Sequence, residues 1–127
     1  MRIQYQKKNM ESALVDLKKY LKLEKMPRVI EGYDISNISG KFAVGSKVSF
    51  KEGKPNKKMY KHFKMETPGP NDFAMMEELL TRRLKMIDRD PEPDLIVIDG
   101  GKGQLGMACG VLEKLNLTHI PIIGLAK

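Results

Sequence analysis

The sequence predicts an α/β fold in which helices pack on a mixed β-sheet of five strands. A β-prone segment at about 28 to 36, followed by an alternating stretch with a central turn, predicts three strands linked by hairpins. The apolar runs LIVID (95–99) and PIIGLAK (121–127) are typical of strands buried inside a sheet. A helical pattern precedes each run, so helical crossovers lead to the last two strands, and no further helix follows them.

The first 27 residues are predicted to form a lead-in helix and a linker, and residues 28–127 the domain itself. In ESALVDLKKYLKL (11–23), leucines recur near helical spacing with charged residues between them. Pro27 then disfavours helix at Met26, so the helical pattern breaks before the first strand.

The stretch after the first strand predicts a β-hairpin that supplies strands two and three. Its residue types alternate around Val44, Val48 and Phe50, and Glu52-Gly53 supplies the turn. The pattern resumes with the aromatic residues of YKHF (60–63).

The helix that follows is predicted from its start signal and its apolar stripe. Asn71 or Asp72 is expected to cap it. Glu78 lies four residues before Arg82, and we interpret Arg82 and Arg83 as the solvated outer face. The predicted stripe consists of Phe73, Met76, Leu80, Leu84 and Ile87.

Composition favours a polyanionic partner without deciding the question. Lys and Arg total 23 against 16 Asp and Glu, which gives a formal charge of +7. A lysine-rich solvated surface explains the same balance equally well. One cysteine, Cys109, excludes an intrachain disulfide and a cysteine-based metal site, and its small apolar neighbours suggest a core residue. No window approaches a membrane span in length, so we expect a cytoplasmic protein without a membrane partner.

The loop after the fourth strand, in LIVIDGGKGQLG, carries the functional question. Gly101, Gly103 and Gly106 match the G-x-G-x-x-G spacing of a dinucleotide-binding turn between a strand and a helix. The loop does not open the first βαβ unit, however, and Asp99 would face the pyrophosphate with a like charge. A dinucleotide-binding domain therefore stays open as an alternative.

Three other interpretations of this loop remain: a P-loop, a metal site at Asp99 and a helix cap at Asp99. The last two can be distinguished only if a second carboxylate lies nearby. A mononucleotide P-loop is excluded, because Ile96 and Gly103 occupy the positions of its first glycine and its Ser or Thr. Asp99 is either a metal ligand beside a turn that admits a large anionic substrate, or a cap for the next helix.

That second carboxylate is Asp34, in VIEGYDISNISG. A charge between Tyr33 and Ile35 is costly unless it is paired or bound to a metal. If the first and fourth strands are neighbours, Asp34 and Asp99 lie close to each other near the strand ends. Two carboxylates suit Mg²⁺ or Mn²⁺, and such ions in a basic setting suit phosphodiester hydrolysis.

Four stretches of this sequence resemble one known family. They are EGYDISNISGKFAVGSKVSF, GPNDFAMMEELLTRR, PDLIVIDGGKGQL and PIIGLAK, which cover about residues 28 to 127 in order. The family is that of the C-terminal endonuclease domains of UvrC, a subunit of the bacterial excision nuclease. The resemblance implies a ribonuclease H-like fold and a metal-dependent DNA endonuclease that makes the incision 5′ to a lesion. Residues 11–25 resemble the helix that leads into this domain.

The resemblance also implies the site residues and the partners. Asp34 and Asp99 would be two members of an Asp-Asp-His site that binds Mg²⁺ or Mn²⁺. Asp72 is a further acidic candidate, which a helix-capping role explains equally well. Apart from the resemblance, Lys41 and Lys102 are expected to contact phosphates, because they lie close to the proposed metal in the sequence-based interpretation. The implied partners are damaged double-stranded DNA and, through parts outside this sequence, UvrB.

Two departures from the family pattern bear on activity. Asn37 stands where the family often has His after the D-I-S of the first strand, and the family's catalytic His lies beyond Lys127. Neither His62 nor His119 replaces it by motif, and both are expected to be surface residues. We therefore expect the 127-residue chain to bind metal weakly at most and not to cleave DNA efficiently.

Residues 51–64 hold six lysines and one acid, with aromatic residues between them. Such lysines contact DNA phosphates in some proteins, but protection of a sheet edge from aggregation is the favoured explanation here. A non-catalytic DNA-binding or docking module is the remaining alternative function.

Overall fold

The computed structural model describes residues 2–38 and 42–125 of the chain, which form a sheet with helices packed on it. Within this range the α-helices are α1 (Arg2–Leu21), α2 (Asp72–Leu84) and α3 (Lys102–Lys114). The strands are β1 (Val29–Ile38), β2 (Phe42–Lys51), β3 (Lys54–Pro55), β4 (Lys61–Lys64), β5 (Leu95–Asp99) and β6 (Ile122–Leu125).

The sheet confirms the predicted mixed α/β architecture, with six strands in the described residues instead of five. Its order is β3-β2-β1-β5-β6, and β4 also pairs with β2. The hairpin strands are antiparallel, whereas β1, β5 and β6 are parallel. The predicted third strand is divided into β3 and β4 because Pro55 has no N–H to continue the ladder, and a short 3-10 helix (Lys57–Met59) follows it.

The predicted turn at Glu52-Gly53 joins β2 to β3. Both residues have positive φ, 53° and 82°, which is the turn geometry that matches the twist of a hairpin. Arg28 supports the turn from both sides, since its carbonyl accepts from the Glu52 N–H at 2.8 Å and its guanidinium donates to the Glu52 carboxylate at 2.6 Å.

One face of the sheet, here called the covered face, packs against α2 and α3. Alternation along the strands sends Tyr33, Ala43, Ile96 and Ile98 to this face, where all four are buried. The buried residues of the two helices complete the core: Met75, Met76, Leu79, Leu80, Leu84, Ala108, Val111 and Leu112.

Helix α2 begins as predicted but buries a broader surface than the predicted stripe. The Asn71 side chain accepts a hydrogen bond from the Ala74 N–H at 3.1 Å, which confirms the cap. Phe73 is 53% exposed, so its place in the buried stripe is wrong. The placement of Arg83 on the outer face is also wrong, because the side chain is 0% exposed and pairs with a buried carboxylate, described below.

The opposite face, here called the open face, is partly covered by α1. Met10, Leu14 and Leu17 of this helix approach Ile30 and Phe50 near the start of β1 and the end of β2. Toward the other end of β1, the side chains on this face are half-exposed or exposed. No helix within the described ranges is long and apolar enough to cross a membrane.

Candidate active site

Asp34 and Asp99, the two predicted metal ligands, lie at matching positions of neighbouring parallel strands. The ladder between β1 and β5 runs up to the pair formed by Tyr33 and Ile98, and each aspartate is the next residue of its strand. Because Tyr33 and Ile98 point to the covered face, alternation sends both aspartates to the open face. The structure therefore brings together the two acids that lie 65 positions apart in the sequence.

Both aspartates line one groove on the open face, with a volume of about 520 Å³. Asp34 is exposed and Asp99 is half-buried. The remainder of the groove is mainly apolar. Leu125 lies beside Asp99, and the other apolar residues extend along the strands away from the acids: Ile30, Val48, Phe50 and Val97. The acid pair thus forms the polar end of an apolar groove.

Two further polar residues extend the line of acids across the sheet. Ser46 of β2 pairs with Asp34, and His62 of β4 pairs with Ser46. Paired residues of antiparallel strands point to the same face. The open face therefore carries Asp99, Asp34, Ser46 and His62 in one line across four strands, which we call the polar row. Nothing in the motif analysis connected His62 with the acids, because that connection depends on the register of β4.

The glycine loop turns the chain from β5 into α3. The Gly101 N–H donates to the Gln104 side chain at 3.1 Å just before the helix begins, and a side chain at Gly100 would collide with Gln104. The third glycine of a dinucleotide turn permits close packing of helix on strand. Gly106 is exposed with nothing within 4 Å of the place a Cβ would take, so this loop lacks that packing.

Neither Asp72 nor Lys102 lines the groove. Asp72 is the exposed first residue of α2, and Lys102 is the exposed first residue of α3, three positions after Asp99. Lys41 lies outside the described residues. Among residues 2–38 and 42–125, no group of three acidic, histidine or cysteine side chains is arranged to hold a metal ion. Asp72 is therefore not grouped with the acid pair.

The acid pair suits a hard divalent cation in its donor type. Mg²⁺ is commonly held by one or two carboxylates and keeps water or phosphate oxygens at its other positions. Asp34 and Asp99 supply two such carboxylates, and the groove beside them is open. Cys109, the one cysteine of the sequence, lies half-buried on α3.

A second set of charged residues lies on the covered face, and sequence reasoning missed it. Arg83 binds Glu31 through two hydrogen bonds of 2.9 and 2.8 Å, and both residues are buried. Burial by itself would lower the pKa of Arg83, but the hydrogen bonds and the charge of Glu31 raise it above the ordinary value. A signal was available, because Arg83 follows buried Met76 by seven residues, which is close to two helical turns.

Lys47, Asp90 and Tyr33 complete this buried network. The Lys47 ammonium contacts the Asp90 carboxylate at 2.9 Å and is 1% exposed. The Tyr33 hydroxyl donates to Glu31, and burial, followed by the charge of Glu31, raises the pKa of Tyr33 well above its ordinary value. Two cations and two carboxylates therefore balance one another, and the network ties β1 and β2 to α2 and the loop after it.

The two histidines are exposed, as predicted. His119 contacts Glu92 at 2.6 Å and does not line the groove. His62 belongs to the polar row.

Comparison with known proteins identifies the family. Residues 18–127 match the family model described as the UvrC RNase H endonuclease domain. A relative named UvrABC system protein C from Methanosphaera stadtmanae is 55% identical over 130 aligned positions, which cover 94% of this chain and 22% of the relative. The protein of the same name from Geobacter metallireducens is 48% identical, over 92% of this chain and 19% of its own length. The chain spans about a fifth of the length of these relatives.

Solved structures of endonuclease V share the fold. The enzyme from Ciona intestinalis, solved with a 23mer DNA containing an inosine followed by a ribo-adenosine, has a TM-score of 0.55 at 18% identity, over 94% of this chain and 56% of that one. Human ENDOV has a TM-score of 0.55 at 14% identity, over 84% of this chain and 55% of that one. These similarities support the ribonuclease H-like architecture that the sequence resemblance implied. Because the family model covers most of the sequence, the chain belongs to the family of UvrC RNase H endonuclease domains.

Proposed function

We propose that this chain is the metal-dependent nuclease centre of an excision-repair protein and makes the incision 5′ to a lesion in double-stranded DNA. The observation that carries the proposal is the acid pair, Asp34 and Asp99, at matching positions of two neighbouring strands on the open face. Family membership supports nuclease chemistry, and the net charge of +7 supports a polyanionic substrate. The DNA complex of endonuclease V, which has the same fold, is consistent with such a substrate.

In this proposal, Asp34 and Asp99 hold Mg²⁺ or Mn²⁺ through their carboxylate oxygens. When bound, the cation activates water and neutralises the charge that develops on the phosphate. Lys102, and Lys41 from outside the described residues, contact phosphate oxygens near this end of the sheet. Gly101 leaves open space at the start of α3, where a helix N-terminus favours an anionic group.

The family resemblance supplies the remaining parts of the proposal. Residues 28–127 form the nuclease domain and residues 1–27 lead into it. A histidine from beyond Lys127 completes the site, so the 127-residue chain by itself binds metal weakly and cleaves DNA poorly. Contact with UvrB is made by other parts of the protein, which acts in the cytoplasm. Asp72 is retained as a further acidic candidate.

Titration of Mn²⁺ into the isotope-labelled chain tests the acid pair without the need for turnover. Paramagnetic broadening of amide signals is expected to centre on the backbone around Asp34 and Asp99 together. Asp34→Asn and Asp99→Asn are each expected to abolish that broadening at the same Mn²⁺ concentration. Asp88→Asn is the matched control, since Asp88 is an exposed acid that does not line the groove.

Broadening spread over many surface acids, or broadening that persists in both site variants, would contradict the metal site. DNA binding that is indifferent to metal and to both aspartates would instead favour a non-catalytic DNA-binding module. Loss of broadening in Asp72→Asn would add the third acid to the site, whereas an unchanged pattern would leave Asp72 to its role at the start of α2.

A further inference from the structure

We infer that Ser46, His62 and Lys64 bind the phosphodiester backbone of the DNA strand that is cut at the acid pair. The inference rests on the proposed function, because it takes the acid pair as the place of cleavage. It assigns substrate contacts to β2 and β4, where the lysines were predicted to protect the sheet edge and His62 was expected to be a surface residue.

The sheet register places these three side chains on the same face as the acids. Ser46 lies beside Asp34 and His62 lies beside Ser46, while Lys64 lies two residues farther along β4 and pairs with Val44. Adjacent strands are about 4.8 Å apart, so His62 lies roughly 10 Å from Asp34 across the sheet. A DNA strand presents a phosphate about every 3.4 Å of helix axis. About three such intervals, and so about four consecutive phosphates, therefore span the distance from the acids to the edge strand.

The residue types suit contacts to phosphate. A serine hydroxyl and an imidazole N–H donate hydrogen bonds, and a lysine ammonium adds positive charge. His62 and Lys64 are exposed, and the imidazole of His62 makes no hydrogen bond or ion pair with the residues that the structure describes. Contacts of this kind read no base sequence, as a nuclease that cuts beside varied lesions requires.

The surrounding edge of the sheet carries positive charge that few acids offset. Residues 51–64 contain six lysines, and their one acid, Glu52, is paired with Arg28 at 2.6 Å. Among the described ion pairs, none involves a lysine of residues 51–58. A DNA strand that leaves the acid pair across the polar row would therefore meet a positively charged edge.

The two faces of β4 separate this inference from the protection of a sheet edge, which lysines on an edge strand also provide. Lys61 pairs in register with Lys47 on the covered-face side, and its ammonium lies 5.6 Å from the Phe63 ring centre and 3.8 Å from the Met86 sulfur. Lys64 belongs to the open face. Edge protection depends on charge on either face, whereas a substrate path depends on the open face alone.

The test measures the affinity of the 127-residue chain for a fluorescently labelled DNA duplex of about 20 base pairs. Fluorescence anisotropy monitors the binding, in EDTA and at salt concentrations between about 50 and 200 mM. Lys64→Gln is expected to weaken binding several-fold and to reduce the slope of log K against log salt by about 1. His62→Ala and Ser46→Ala are each expected to weaken binding about two- to tenfold with little change in slope. Lys61→Gln, the matched control, removes the same charge from the other face of β4 and is expected to stay within about twofold of the wild type.

An equal loss in Lys61→Gln and Lys64→Gln would overturn the inference, because binding would then follow total charge. Unchanged affinity in Lys64→Gln and His62→Ala would overturn it as well, and aggregation of the lysine variants at unchanged affinity would assign these charges to edge protection. Circular dichroism checks that each variant is folded. Because EDTA removes metal from this assay, a failure here leaves the Mn²⁺ result intact, and a failed Mn²⁺ titration leaves this DNA-binding result intact.

Discussion

The covered and open faces of the sheet use charged residues in opposite ways. On the covered face, Arg83 and Lys47 pair with the carboxylates of Glu31 and Asp90. Two positive charges therefore balance two negative charges. On the open face, two carboxylates lie side by side at the end of a groove. Two carboxylates placed in this way suit a divalent cation that keeps water or phosphate oxygens at its other positions.

A single strand contributes to both arrangements. Glu31 and Asp34 are three residues apart on β1, so alternation sends Glu31 into the core and Asp34 to the open face. The face of a strand, more than the residue type, therefore separates charges that hold the fold together from charges that serve a site. Substitutions on the two faces should therefore differ in their effect on stability.

The largest expected effect is on the covered face, at Arg83. Arg83→Met leaves Glu31 buried with less compensation and is expected to lower the free energy of unfolding by about 3–5 kcal/mol. Arg82→Met is the matched control on the adjacent position, where a half-exposed side chain pairs with Glu78 at 2.9 Å, and it is expected to cost about 1 kcal/mol or less. Urea unfolding measures both. An equal decrease in the free energy of unfolding of the two variants would show that the buried ion pair is no more important for stability than the exposed one.

A smaller effect is expected when a methyl group is added to each face. A Cβ at Gly45 on the covered face would lie 2.8 Å from the side chain of buried Leu79, so Gly45→Ala is expected to cost about 1–3 kcal/mol. A Cβ at Gly32 on the open face would lie 3.0 Å from Val48, which is half-exposed and can yield, so Gly32→Ala is expected to cost less than about 1 kcal/mol. Thermal unfolding measures which variant loses more stability. A larger loss in Gly32→Ala than in Gly45→Ala would show that the open face is packed as tightly as the covered face.

The sequence predicted the strands, and it predicted the acid pair on one condition. Apolar runs and turn residues indicated the strands, and Asp34 and Asp99 were expected close together if the first and fourth strands were neighbours. The pairing of β1 with β5 meets that condition, although Asp34 lies within β1 and not at its end. The division of the third strand was missed, although Pro55 could have indicated it.

The sequence could not predict which polar residues are buried. Val48 and Phe50 form the apolar side of β2, yet they lie on the open face, while Lys47 of the other side is buried. The partners of Lys47 are Glu31 and Asp90, which come from other segments of the chain, so only the tertiary structure shows that its charge is compensated. The polar row was missed for the same reason, since His62 meets the site through strand register and not through a motif.

The open-face acids, Asp34 and Asp99, are expected to serve cation binding and to contribute little to the stability of the fold. Urea unfolding of the wild type and of Asp34→Asn, each in EDTA and in Mn²⁺, tests it in one experiment. In EDTA the two proteins are expected to differ by less than about 0.5 kcal/mol, because Asp34 is an exposed residue. In Mn²⁺ at a hundred times its Kd, only the wild type is expected to gain about 2.7 kcal/mol. A large loss of stability in EDTA, with equal Mn²⁺ stabilisation of both proteins, would contradict the claim.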